Sequence, residues 1–119
     1  MNSKKLAAKI AELMLEKKGS GIIIMDLRKL TNVTDFFVIC SASSDIQVKS
    51  IADHVKLETK REDEISWHNE GYTGLSWILL DYVNVVAHVF KDDLRKFYNL
   101  EGLWADAEVT VIREDEDKK

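Results

Sequence analysis

The most constraining part of the chain is residues 76–90, where two apolar runs flank a short polar break. This pattern predicts two antiparallel strands joined by a two-residue turn at Tyr82-Val83. The predicted register then pairs Asp81 with Asn84, Leu79 with Val86, and Trp77 with His88. Any fold of this chain must therefore bury or expose each of the two faces of that hairpin according to its side chains.

The two faces of the predicted hairpin differ in chemistry, because side chains alternate across a strand. One face is purely aliphatic and is predicted to be core: Ile78, Leu80, Val85, Ala87 and Val89. The other face mixes apolar bulk with polar groups: Trp77, Leu79, Asp81, Asn84, Val86, His88 and Phe90. A sealed core would have to hydrogen-bond those polar groups, whereas aromatic anchors dominate the energetics of interfaces. We therefore predict that the Trp77 face is a docking surface.

Composition places the chain among single-domain proteins without a basic surface. It has 119 residues and a formal net charge of −4. A chain of this length buries roughly two-thirds of its unfolded surface, which is enough for a core. Direct nucleic-acid binders usually carry a basic footprint, so we expect no direct sequence-specific binding to nucleic acid. An acidic protein is better suited to a basic protein partner.

Nothing in the sequence indicates a membrane or an exported protein. No apolar run approaches the roughly 20 residues of a membrane-spanning helix. The N-terminus lacks a signal peptide's apolar segment and the Arg- and Ser-rich character of an organelle leader. The single cysteine, Cys40, cannot form an internal disulfide. We expect a cytoplasmic protein with no membrane contact.

The remaining pattern predicts one α/β domain over residues 1–112. Apolar spacing and capping residues predict helices at three places: residues 3–18 with Ser3 as cap, a segment beginning at Ser44, and a segment capped by Asp92. Strands are predicted at residues 22–27, 35–41, near 65–68, in the hairpin, and at 109–112 as a last edge strand. This order predicts a mixed sheet of about four to five strands flanked by helices. Residues 113–119 form a charged tail that we expect to be disordered.

Two features resemble enzyme chemistry, but each has a simpler interpretation. Nucleotidyl transfer needs carboxylates that hold two metal ions, yet the single Asp-x-Asp motif, residues 115–117, lies in the tail. Asp106 and Glu108 are predicted to be surface carboxylates. The turn at residues 41–44 lacks the glycines and lysine of a phosphate-binding loop, and Gln47 behind Ser44 instead predicts a capped helix.

The histidines and the cysteine do not form a recognisable site either. His54, His68 and His88 lack metal-ligand spacing. Cys40 lies in an apolar strand and is predicted to be a buried, unreactive thiol. We predict no catalytic residue, no metal and no cofactor.

Several segments together carry a family resemblance: Glu70-Gly71, residues 77–82, residues 85–90, Arg95, residues 97–101, residues 103–107, and upstream residues 34–40, Gln47 and residues 51–53. Over about residues 3–107 the chain resembles the Iojap family, the ribosomal silencing factors (RsfS). The family usually has Gly-Asp where this chain has Val83-Asn84. A β-branched valine resists the positive φ that glycine allows, which leaves the turn type and the neighbouring register open.

The resemblance implies a fold, a partner and a mode of action. It implies an α/β architecture related in shape to the nucleotidyltransferases. It also implies a non-enzymatic factor that binds the large ribosomal subunit through its basic protein L-fourteen. The bound factor would block subunit joining by its bulk and so repress translation. The alternatives are a nucleotide-binding protein or enzyme on the related fold, and a homodimer through the Trp77 face.

Under this interpretation eight residues are predicted to bind the partner. Trp77 and Leu79 are the apolar anchors. Asp81, Asn84 and His88 are the polar contacts. Glu70, Tyr82 and Tyr98 are predicted to extend the surface.

Overall fold

The computed structural model describes residues 1–113, which form four helices and six strands. Along the chain these are α1 (Ser3–Glu16), β1 (Ser20–Asp26), β2 (Phe36–Ala42), α2 (Asp45–Lys60), β3 (His68–Glu70), β4 (Trp77–Asp81), β5 (Val85–Lys91), α3 (Asp92–Tyr98), α4 (Leu100–Leu103) and β6 (Glu108–Val111). The tail predicted to be disordered covers residues 113–119, and all of it except Arg113 lies outside the described residues. Within residues 1–113 no helix has both the length and the apolar character needed to cross a bilayer.

The strands form one mixed sheet in the order β3-β4-β5-β2-β1-β6. Its central pair, β2 and β5, is parallel, and every other neighbouring pair is antiparallel. The predicted mixed sheet flanked by helices is confirmed, but it has six strands instead of four to five. The two edge strands have only three and four residues, with exposed side chains, so they leave a weak apolar pattern in the sequence.

Helices α1 and α2 cover one face of the sheet and form the main core with it. Helix α1 contributes an apolar stripe at helical spacing: Leu6, Ile10, Leu13 and Met14. The predicted aliphatic face of the hairpin packs against these helices, and all five of its side chains are fully buried. That prediction is therefore confirmed.

The capping predictions hold for α2 and are off by one residue for the other helices. The Ser44 hydroxyl accepts a hydrogen bond from the Gln47 backbone N–H at 3.1 Å, as predicted. Helix α1 is instead capped by Asn2, whose side chain accepts from the Lys5 N–H at 2.8 Å. Asp92 is the first residue of α3 and not its cap.

The hairpin turn lies one residue later than predicted, at Val83-Asn84. The Tyr82 N–H donates to the Val85 carbonyl at 2.8 Å, and the Asn84 N–H donates to the Tyr82 carbonyl at 3.0 Å. Val83 has a φ of 75°, and its N–H donates to the Asp81 side chain at 2.7 Å. The polar groups beside the turn hold a conformation that valine disfavours.

This turn changes the predicted register by two residues. The observed partners are Trp77 with Phe90, Leu79 with His88, and Asp81 with Val86. The predicted pairs were therefore wrong. A shift of two leaves every side chain on its predicted face, because alternation has a period of two.

Candidate docking surface

The second face of the sheet is only partly covered. One half of it is covered by helices α3 and α4 and by residues 104–107, which follow α4. They bury five side chains: Ile23, Met25, Leu27, Ile39 and Phe90. The other half carries Phe37, Leu79 and Val86, which are partly exposed. We call this half, together with the neighbouring Trp77, the open sheet face.

A single arginine fastens the covering helices to the sheet. Arg95 of α3 donates through Nη1 to the Gly21 carbonyl at 2.6 Å and to the Ser41 hydroxyl at 3.0 Å. Its Nε donates to Glu101 at 3.1 Å. Helix α3 has no fully buried residue of its own, so these bonds contribute strongly to its position.

Trp77 lies at the boundary between the covered and the open halves. Its ring packs against Phe90 with centroids 4.8 Å apart and against Tyr98 with centroids 4.7 Å apart. Its indole N–H donates to Nδ1 of His88 at 3.1 Å. The side chain remains partly exposed. Trp77 is thus held rigidly and is still within reach of another molecule.

His88 lies beneath this surface as a neutral ring. It is 3% exposed, and its burial lowers its pKa from 6.5 to about 3. An indole N–H can only donate, so Nδ1 must be the acceptor and the ring proton lies on Nε2. Among the described residues, Nε2 has no hydrogen-bond partner. His88 therefore carries a buried donor that the protein itself does not satisfy.

A pocket of about 310 Å³ opens on this half of the sheet. Its walls are apolar and include Phe37, Leu79, Val86 and Trp104. Its polar lining comes from Thr34, His68, Glu70, Asp81 and His88. The Thr34 hydroxyl is also buried without a hydrogen-bond partner among the described residues.

The rim of this pocket is acidic. Strand β3 pairs with β4 so that Glu70 lies beside Leu79 and His68 beside Asp81. Glu70 contacts His68 at 2.8 Å, and both side chains are well exposed. Asp81 uses one oxygen to accept from the turn. Glu70 and Asp81 thus place two carboxylates beside the apolar walls.

The other predicted residues divide between the two faces. Tyr98 lies beside Trp77 and is 47% exposed. Asn84 is exposed at the turn, where its carbonyl accepts from the Asp35 and Phe36 N–H groups. The expectation that Tyr82 extends the surface was wrong, because its ring lies in the helix-side core and is only 7% exposed.

The burial of Tyr82 has a specific cause. Its hydroxyl lies 2.9 Å from that of Thr59 on α2, so the polar end of the ring is satisfied inside the core. Tyr82 lies two residues after Leu80 and four after Ile78, so strand alternation places all three side chains on the same, buried face. The sequence therefore indicated this placement, but the prediction put Tyr82 in the turn and did not use the alternation.

Several exposed apolar residues around the site were missed by the sequence analysis. Phe37 belongs to β2 and is partly exposed on the open sheet face. Phe97 is 77% exposed and Leu103 is 72% exposed, at the edge of the covering helices. Strand alternation would have found Phe37, but nothing local distinguishes the two helical residues from core.

The remaining chemical predictions can be placed in the fold. Cys40 is buried, as predicted, and its burial raises the thiol pKa to about 12. Asp106 and Glu108 are exposed, as predicted. Asp115 and Asp117 lie outside the described residues. Within residues 1–113 no three His, Cys, Asp or Glu side chains are grouped as a metal ion would require.

Fold and surface together define a class: a small α/β protein whose sheet leaves an apolar, acid-rimmed half-face partly exposed. The sequence model of the family described as "Ribosomal silencing factor during starvation" (RsfS) matches residues 1–119. The chain belongs to this family, whose role is to repress translation at the ribosome.

Individual relatives agree with this membership. The chain is 36% identical over 107 residues to the ribosomal silencing factor RsfS of Bacillus subtilis, covering 90% of this chain and 91% of the relative. It is 35% identical over 102 residues to the chloroplastic protein Iojap of Zea mays, covering 85% of this chain and 44% of the relative. The suspected Iojap and RsfS resemblance is thus confirmed.

Solved structures show that the fold recurs. A protein from Chromobacterium violaceum superposes with a TM-score of 0.86 at 26% identity, with both chains fully covered. A protein from Bacillus halodurans superposes with a TM-score of 0.72 at 31% identity, covering 92% of this chain and 95% of the other.

Proposed function

We propose that this protein binds the large ribosomal subunit through its basic protein L-fourteen and blocks subunit joining by its bulk. The open sheet face makes the contact, and no bond is made or broken. Trp77 and Leu79 are the apolar anchors, with Glu70, Asp81, Asn84, His88 and Tyr98 around them. Tyr82 supports this surface from the core side and does not touch the partner.

The observation that carries the proposal is the incomplete cover over the second sheet face. Strands β2, β4 and β5 present apolar side chains there, yet the covering helices reach only half of them. Clustered, rigidly held aromatic and aliphatic groups are typical binding hot spots. Trp77 suits this role because Phe90, Tyr98 and His88 already fix its ring.

Charge and size support the partner and the mechanism. The carboxylates of Glu70 and Asp81 rim the pocket, and the whole chain has a net charge of −4. Both favour a basic protein over bare RNA. The folded body measures 35 × 34 × 31 Å, so a molecule bound at the joining face would hold the subunits apart without any catalysis.

Co-sedimentation with purified large subunits tests the proposal. We expect Leu79→Ala to weaken binding about tenfold and Trp77→Ala about thirtyfold. Leu57→Ala is the matched control, because Leu57 is 51% exposed on α2 behind the sheet, and it should bind like wild type. Thermal melting of each variant separates lost contacts from lost stability, since Trp77 also packs within the protein.

Two further measurements test the partner and the blocking step. Isolated L-fourteen should bind wild type and lose affinity for Leu79→Ala. Light scattering of mixed subunits should show less joining when wild-type protein is added. A wild-type protein that does not co-sediment with large subunits would contradict the proposal.

The competing hypotheses predict different results. A homodimer through the same surface would raise the sedimentation mass of wild type and not that of Leu79→Ala. A nucleotide-binding protein would gain thermal stability with nucleotide and magnesium.

A further inference from the structure

We propose that the pocket beside His88 receives one uncharged amide side chain, an Asn or Gln, from the bound protein partner. This inference rests on the proposed function and deepens it. It specifies the chemistry of one contact within the docking surface.

Two unsatisfied polar groups line the pocket. His88 is 3% exposed and Thr34 is 5% exposed. Neither His88 Nε2 nor Thr34 Oγ1 has a hydrogen-bond partner among the described residues. Buried polar groups are nearly always paired. Two such groups at one pocket therefore indicate a ligand that pairs with them.

His88 has one ring nitrogen that is already bonded and one that is free to bind. The Trp77 indole holds Nδ1 at 3.1 Å, and Trp77 is not among the pocket's lining residues. Nε2 is therefore the one ring nitrogen left to pair with an occupant of the pocket that His88 lines. Because the buried ring is neutral, Nε2 presents a single N–H donor.

The polar groups of the pocket limit the chemical class of its occupant. A donor at the base of the pocket requires an acceptor at the tip of the incoming side chain, which excludes Lys and Arg. The carboxylates of Glu70 and Asp81 at the rim repel Asp and Glu. An amide carbonyl has two lone pairs for two donors, and its NH2 group can donate to a rim carboxylate.

The pocket also suits such a side chain in size and polarity. Its volume of about 310 Å³ and its apolar walls of Phe37, Leu79, Val86 and Trp104 accommodate an aliphatic stem. Basic groups elsewhere on the partner would then meet the rim carboxylates from outside.

Thr34→Val is the decisive variant, because valine has nearly the shape of threonine and lacks the hydroxyl. We expect it to bind purified large ribosomal subunits about tenfold more weakly, since the partner's carbonyl loses a donor. Val86→Phe, which fills the pocket, should weaken binding at least as much. Thr110→Val on the opposite edge strand β6 is the matched control and should bind like wild type.

Salt dependence tests that the occupant is uncharged. The loss caused by Thr34→Val should be the same at low and high ionic strength, because a neutral hydrogen bond is not screened. A loss that shrinks with salt would overturn the assignment to an amide.

The outcomes separate this inference from the proposed function. Wild-type protein that fails to bind large subunits contradicts the proposed function. Wild-type binding that Leu79→Ala weakens, while Thr34→Val and Val86→Phe leave it unchanged, overturns only the pocket inference. Circular dichroism melts of the same variants should show folded proteins, since Thr34→Val removes an unpaired hydroxyl.

Discussion

Val83 adopts a backbone conformation that its side chain disfavours. Its φ of 75° lies in the left-handed region, which costs an L-residue roughly 1–2 kcal/mol and is a genuine outlier for a β-branched one. Three hydrogen bonds around the turn hold it there. The pairing of β4 with β5 thus forces Val83 into a turn conformation that valine disfavours.

We therefore expect Val83→Gly to stabilise the fold by about 1 kcal/mol, the relieved strain less the added chain entropy of glycine. Urea unfolding measures this. Val33 is an exposed loop valine without a positive φ, so Val33→Gly is the control and should destabilise slightly. A Val83→Gly protein less stable than wild type would contradict the strain argument.

His88 links folding stability to pH. Its pKa is about 3 in the fold and 6.5 in the unfolded chain, so between these values only the unfolded chain binds the proton. The contribution of the neutral His88 ring to the free energy of unfolding is fully present above about pH 6.5. It is lost progressively as the pH falls toward 3. A shift of this size corresponds to an effect of a few kcal/mol.

Replacing His88 by Gln should make the free energy of unfolding depend less on pH below about 6.5, because an amide does not titrate. The measurement is the free energy of unfolding from pH 7 to pH 4 for wild type and variant, and their difference isolates His88 from the carboxylates. His68→Gln, which changes an exposed imidazole, should keep the wild-type slope. Parallel profiles for wild type and His88→Gln would contradict the prediction.

At the scale of elements, the covering helices depend on Arg95. Its guanidinium is mostly buried, with a side chain 13% exposed, and it bonds to β1, β2 and α4 at once. Removing the guanidinium leaves the partly buried Ser41 and Glu101 oxygens without their charged donor, which costs stability. Helix α3 is short and has no fully buried residue. Its other contacts are the partly buried Leu94 and the packing of Tyr98 on Trp77.

Arg95→Ala should lower the free energy of local opening of α3 and α4 by about 2 kcal/mol while the sheet remains folded. Hydrogen exchange of backbone amides measures this, with faster exchange expected in α3 and unchanged exchange in the central strands β2 and β5. Lys96→Ala changes an exposed residue of the same helix and should leave exchange unchanged. Uniformly faster exchange throughout the sheet would contradict a local role for Arg95.

The elements also show how far local sequence reasoning reaches. The aliphatic hairpin face, the Ser44 cap and the apolar stripe of α1 were predicted because each depends on neighbours along the chain. The hairpin register was wrong because an imposed turn at Val83 carries no local signal. Both edge strands were indicated, near residues 65–68 and at 109–112, but their bounds differ from β3 and β6 because exposed strands of three or four residues lack a clear period.

For the whole molecule, the acidic open face should steer the approach to a basic partner. Electrostatic steering raises association rates and weakens as salt screens it. Raising the salt concentration from about 0.05 to about 0.3 M should therefore slow association with large subunits several-fold. Stopped-flow mixing with labelled protein measures the rate.

Neutralising Glu70 and Asp81 together, as Gln and Asn, should reduce this salt dependence. The charge-matched control is Glu12→Gln on α1 with Glu62→Gln in the turn that follows α2. Each pair moves the net charge from −4 to −2, so only position differs between them. Equal effects of both pairs would indicate that overall charge, and not the open face, governs the approach.

The sequence by itself determined which side chains share a face and to which family the chain belongs, because alternation and motifs are properties of consecutive residues. Only the tertiary structure decided how much of the Trp77 face is covered, since that depends on where Arg95 anchors α3 against strands more than fifty residues earlier. It also placed Tyr82 in the core beside Thr59 and brought Thr34 to the pocket next to His88. Contacts between distant segments depend on packing, and no local pattern encodes them.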